Sequence, residues 1–160
     1  MGSGNSGLYS GAVLSSAFPG SKDYMQPGDP FIRYIKGRKD VDANGFYDII
    51  AHGTANTMII EHNGVRMEID HRTAARLFKR DKNYPGKSIR LLSCDTGASK
   101  AGFAQNLANK LGVIVEAPTK MVWAYPSGRY IVAAPSKDGK RPDLTKRGKF
   151  IKFYPGGNKK

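Results

Sequence analysis

The chain of 160 residues holds one cysteine, one tryptophan and three histidines. A single thiol, Cys94, excludes an internal disulfide framework and every zinc site that needs two thiolates. The histidines, His52, His62 and His71, are not clustered and make a poor metal site. No stretch approaches the ~18 consecutive apolar residues of a membrane span. The start, Met1 to Gly7, lacks a basic segment followed by an apolar one, so neither a transmembrane helix nor an ordinary signal peptide is expected. Walker loop, dinucleotide fingerprint and zinc-finger spacing are missing too, so no cofactor is expected. Acidic residues are scarce, 13 against 26 lysines and arginines, for a net charge of +13. Residues 1–100 carry 14 basic and 10 acidic side chains, whereas residues 101–160 carry 12 and 3. Such a field attracts nucleic acid, an anionic membrane surface, a polyphosphate or an acidic protein, and charge alone does not choose among them.

What is present fits one domain with its own core. Residues 1–30, rich in Gly, Ser and Pro, read as a linker or surface-hugging arm, the junction to an expression leader or to a longer polypeptide. Residues 31–160 read as a single domain. FYDIIA, from Phe46, is a short apolar run of strand type that stops at His52-Gly53-Thr54. TMIIEH and VRMEID alternate on either side of Asn63-Gly64, a strong hairpin-turn signal. Asp70 serves as the N-cap of a helix over about residues 71–80, with Ala74, Ala75, Leu77 and Phe78 on its inner face. SIRLLS is a second buried strand and runs into Cys94-Asp95-Thr96-Gly97. Phe103, Leu107 and Leu111 mark a second amphipathic helix that stops at Gly112. VIVEA is a third buried strand, MVWAYPSGRYIVA a hairpin around Pro126-Ser127-Gly128, and KFIKFY a last strand.

Apolar strands alternating with helices predict an α/β fold with a central, mainly parallel sheet flanked by helices, followed by a C-terminal β-hairpin flap. Open sheets of this kind gather functional groups beyond the carboxyl ends of their strands. His52 and Cys94 both stand at such ends.

A thiol is a good nucleophile as thiolate, and an imidazole within reach activates it and later protonates the leaving amine. A cysteine alone at a strand end is ordinarily core packing. Paired with a histidine that closes a neighbouring strand, it becomes a candidate nucleophile. Gly53, lacking a side chain, lets a carbonyl approach the backbone, so the N–H groups of Gly53 and Cys94 are candidate oxyanion donors. The pair is expected to rest as a Cys94 thiolate and a His52 imidazolium, with a thiol that alkylates at about pH 6 much faster than a free cysteine.

The pairing of IIAHGT with RLLSCDTG resembles the caspase-like superfamily of cysteine peptidases, which includes gingipain, clostripain and the self-processing protease domains of large bacterial toxins. The resemblance implies His52 as general acid and base, Cys94 as nucleophile, and Gly53 and Cys94 as oxyanion donors. It spans residues 47–97. The Gln-Ala-Cys-Arg-Gly signature of true caspases is absent, because Ser93 precedes Cys94 and Asp95-Thr96 follow it. The run from LLSCDTG through FAQNLANKLGVIVEAPTKMVWAYPSGRY to FIKFYPGG resembles the C-terminal toxin modules of bacterial polymorphic, YD-repeat proteins. That likeness implies secretion as the tip of a larger bacterial toxin, action in the target-cell cytoplasm on a protein substrate, a carrier polypeptide and a cognate immunity protein.

Asp95 and Trp123 are candidate substrate-binding residues, Trp123 as a wall of the pocket for the residue before the cut and equally as core packing. Asp48, Asp95 and Glu116 are candidates to orient His52 or to select a basic substrate residue. Lys137, Lys140, Arg141, Lys146, Arg147 and Lys149, with Lys152, form a basic face, ordinarily a solvated one. Its placement resembles the region where self-processing toxin proteases bind inositol hexakisphosphate, which implies a polyanion ligand. Two other functions stay open: a basic nuclease toxin acting on RNA or DNA, with His52 or His71 as general base, and a Cys-His deamidase or acyltransferase.

Overall fold

The computed structural model describes residues 17–18, 21–25, 28–41 and 43–156. In chain order the strands are β1 (Ala17–Phe18), β2 (Ser21–Asp23), β3 (Tyr47–Ile50), β4 (His52–Gly53), β5 (Met58–His62), β6 (Val65–Ile69), β7 (Ile89–Leu92), β8 (Val115–Pro118), β9 (Met121–Ala124), β10 (Tyr130–Pro135), β11 (Pro142–Arg147) and β12 (Phe150–Phe153). The helices are α1 (Pro30–Ile35), α2 (His71–Arg80) and α3 (Phe103–Leu111).

Six strands form the central sheet in the order β1-β2-β3-β7-β8-β12. Its three inner pairings, β2–β3, β3–β7 and β7–β8, are parallel, and β1–β2 and β8–β12 are antiparallel. The sheet is therefore mixed: the parallel centre agrees with the α/β expectation and the edges do not. β3 and β7 are buried at every position, as strands covered on both faces are, and the one charged residue in each, Asp48 and Arg90, is paired with the other. Alternation along them sorts two layers. Tyr47, Ile49, Ile89 and Leu91 join Ala74, Ala75 and Phe78 of α2 and Phe103, Leu107 and Ala108 of α3 in the main core. Ile50 and Leu92 face the other way, onto Ile32 and Ile35 of α1. That second face is covered by α1 and by β9, which packs on α1, rather than by a full helical layer.

The local signals resolve as chemistry predicts. Asp70 caps α2, its carboxylate accepting from the Thr73 N–H at 2.9 Å. Gly112 ends α3 in the left-handed conformation at φ 71°. Asn63 and Gly64, at φ 52° and 77°, close the β5–β6 hairpin as a two-residue turn. The hairpin around Pro126-Ser127-Gly128 is β9–β10, and β11 extends it to a three-stranded antiparallel sheet.

Residues 21–30, expected in an arm, differ most from the sequence reading. β2 pairs with β3 in the central sheet, and Ser21 is fully buried. Asp29 then caps α1, with its Oδ1 accepting from the Phe31 N–H at 2.9 Å and Pro30 in the first turn. β2 has three residues, too few for a legible alternation, so only pairing with β3 reveals it.

Candidate active site

β3 and β7 are neighbours, and each delivers its last residues to the same end of the sheet. The ladder continues past the strands through the Ala51 N–H, which donates to the Leu92 C=O at 3.3 Å. His52 and Gly53 follow on one side, and Ser93 and Cys94 on the other. Gly53 packs on the Ser93–Thr96 turn so closely that a Cβ there would collide with the Ser93 Oγ and lie 2.7 Å from Thr96 Cγ2 and 3.0 Å from the Cys94 carbonyl. The Thr54 N–H donates to the Thr57 C=O at 2.9 Å, which makes Gly53–Met58 the non-hydrogen-bonded pair of the β4–β5 ladder. The Gly53 N–H thus points away from β5.

His52 is held by a residue that sequence reasoning did not select. Its Nε2–H donates to Asp29 Oδ2 at 2.9 Å, so one carboxylate caps α1 through Oδ1 and grips the imidazole through Oδ2. Burial favours the neutral acid. The bonds from His52 and the Phe31 N–H, with the charges of His52 and Arg66, outweigh it and hold the Asp29 carboxyl below the usual range. With Nε2 engaged, Nδ1 is the ring atom free to take a proton. The signal for Asp29 was the Asp-Pro pair before Phe31-Ile32, the signature of a helix start.

Cys94 is half-buried. Burial pushes its thiol up; the Val122 N–H, donating to Sγ at 3.3 Å, pulls it down, and the neighbouring Asp95 carboxylate adds to the rise. Among the described residues no hydrogen bond joins Cys94 to His52. Against the expected thiolate–imidazolium pair, burial and the Asp95 carboxylate favour the protonated thiol. Asp95 itself stands in the left-handed region at φ 63°, uncommon for a non-glycine residue and frequent beside functional groups. Burial raises its carboxyl, with Lys120 as the opposing charge.

The other candidates lie elsewhere. Asp48 does not touch His52. It is buried on β3 between two arginines, accepting from Arg38 Nε at 3.0 Å and Nη2 at 2.7 Å and from Arg90 Nε at 2.8 Å and Nη2 at 2.7 Å. Arg90 continues to Asp40 at 2.9 Å and to the Tyr130 hydroxyl at 2.6 Å, and that hydroxyl also bonds to Asp40. Burial opposes the Arg90 charge, but Asp48 and Asp40 more than offset it. This network ties β3 and β7 to the loop after α1 and to β10. Glu116 lies across from Lys152 on β8. Trp123 spends its indole N–H on the Ala133 carbonyl at 3.0 Å, a bond across the β9–β10 hairpin. His62 ends β5 and His71 begins α2. Lys137, Lys140, Arg141, Lys146, Arg147, Lys149 and Lys152 are all exposed, along β11 and its flanking turns and on β12. No cluster of three metal-binding side chains occurs among the described residues, and no helix there is long and apolar enough to cross a membrane.

Fold and site together define a mixed α/β domain with a His-Gly strand end beside a Ser-Cys strand end. Residues 20–132 match the family described as Domain of unknown function (DUF8616), and the chain belongs to that family. No curated protein and no solved structure matches the chain.

Proposed function

We propose that this protein is a cysteine peptidase of caspase-like type. The observation that carries the reading is the placement of His52-Gly53 and Cys94 at the ends of adjacent parallel strands, with Gly53 against the Ser93–Thr96 turn. Asp29, through Nε2, would fix the imidazole so that Nδ1 takes the Cys94 proton as Sγ attacks the scissile carbonyl. The Gly53 and Cys94 N–H groups would receive the oxyanion. The C–N bond then breaks as His52 protonates the departing amine, and water, deprotonated by the same imidazole, hydrolyses the thioacyl ester. A neutral resting thiol fits a mechanism in which the proton moves to histidine during attack.

The sequence likeness to C-terminal toxin modules supports a toxic effector carried by a larger secreted polypeptide, with a cognate immunity protein. The basic face along β11 supports an added polyanion contact. The decisive experiment compares new protein N-termini in cells expressing the parent, Cys94→Ala and His52→Ala proteins. New termini with the parent alone support the peptidase. Nuclease activity that survives iodoacetamide, or one-dalton shifts and conjugates in place of new termini, would replace it with the nuclease or with the deamidase or acyltransferase.

A further inference from the structure

The small sheet β4-β5-β6 ends in β6, which pairs with β5 on one side and has no second strand partner among the described residues. Four of its five residues are exposed, including Val65 at 55% and Met67 at 37%. The two-residue turn makes His62–Val65 a hydrogen-bonded pair, and such pairs alternate along an antiparallel ladder. The N–H and C=O groups of Arg66 and Glu68 therefore point to the free side. A strand edge of this kind is a template for another strand.

The side chains say which strand fits. Arg66 and Glu68 are opposite in charge and lie one position to either side of Met67. Across a two-fold axis at Met67, an antiparallel second copy puts Arg66 against Glu68 twice and Met67 against Met67. In the same arrangement Arg66 and Glu68 are the residues whose outward backbone groups bond. Register, charge and backbone polarity agree on one pairing, and like charges directly opposite one another are avoided. We propose that β6 is a self-association edge, joining two copies through a continuous six-stranded sheet. The basic face lies on β11 and its flanking turns, in a different sheet, so the net charge of +13 opposes association mainly at low salt. The edge is short, which implies a weak, concentration-dependent dimer.

Sedimentation equilibrium of the full chain at physiological salt, from micromolar to submillimolar concentration, tests this. The parent should move from monomer to dimer. Arg66→Glu makes every cross-strand charge pair Glu against Glu, and Glu68→Arg makes every pair Arg against Arg, so each variant should associate at least about tenfold more weakly. Mixing the two in equal amounts restores Arg against Glu at both pairs and should restore the dimer. Circular dichroism confirms that each variant is folded. A parent that stays monomeric, a single variant that associates like the parent, or a mixture that remains monomeric would overturn the proposal. A parent that stays monomeric would leave the edge to another protein's strand.

Discussion

His52 and Cys94 stand 42 residues apart, and β3 and β7 pair with the same offset, Asp48 beside Arg90 and Ile50 beside Leu92. Each candidate residue lies two positions beyond the last paired residue of its strand. Their contacts put both beside α1 and β9, where the Asp29 cap of α1 meets the histidine and Val122 of β9 meets the thiol.

Asp29→Asn keeps an oxygen to cap α1 but loses the negative charge that faces the imidazole. Turnover should fall by roughly a hundredfold with little change in KM. Asp29→Ala should add a loss of about 1 kcal/mol in stability for the missing cap. Steady-state kinetics with denaturant unfolding separates the two effects.

Gly53→Ala forces a methyl group against the Ser93 hydroxyl, Thr96 and the Cys94 carbonyl. The cost should be about 1–3 kcal/mol, with a loss of the proposed activity as the candidate oxyanion donors move. Gly53→Ala combined with Ser93→Gly removes the worst collision and should recover part of that stability. Thermal denaturation of the single and double variants measures the recovery.

The thiol of the folded protein should alkylate more slowly than a free cysteine at pH 6 to 8, because burial raises its proton affinity and lowers its thiolate fraction. Unfolding in urea should accelerate the reaction at the same pH. Rates of iodoacetamide modification against pH, folded and unfolded, test this.

Asp48→Ala leaves the guanidinium groups of Arg38 and Arg90 facing each other without their shared carboxylate. Breaking a buried pair of this kind costs about 3–5 kcal/mol. Tyr130→Phe removes only the hydroxyl that bridges Arg90 and Asp40 and should cost about 1 kcal/mol. Chemical denaturation of both should show the larger loss at Asp48.

Asp23, at the end of β2, is buried, and burial pushes its carboxyl up to about 6 against the opposing charge of Lys36 at 3.9 Å. The folded state therefore binds a proton that the unfolded chain releases near pH 4. This contribution to stability is full below about pH 4 and lost as pH rises through about 6. Between pH 4 and 8 the parent should lose about 3 kcal/mol relative to Asp23→Asn, read from urea unfolding of both proteins across that range.

Where one segment carries its own signal, the sequence determined the outcome. The Asn63-Gly64 turn, the cap at Asp70, the stop at Gly112 and the apolar runs of β3 and β7 depend on backbone sterics, local hydrogen bonding and the period of side chains. His52 and Cys94 stood out for the same reason, each closing such a run. Tertiary structure alone decided what those residues touch. Asp29 reaches His52 across 23 residues, and Val122 reaches Cys94 across 28. The upward push on the thiol comes first from burial, which no spacing encodes. Asp48 shows the limit most directly: four residues before His52 it looked available to the imidazole, yet two arginines meet on it. A strand's period says which face a side chain takes, and only the packing of other segments onto that face supplies its partners.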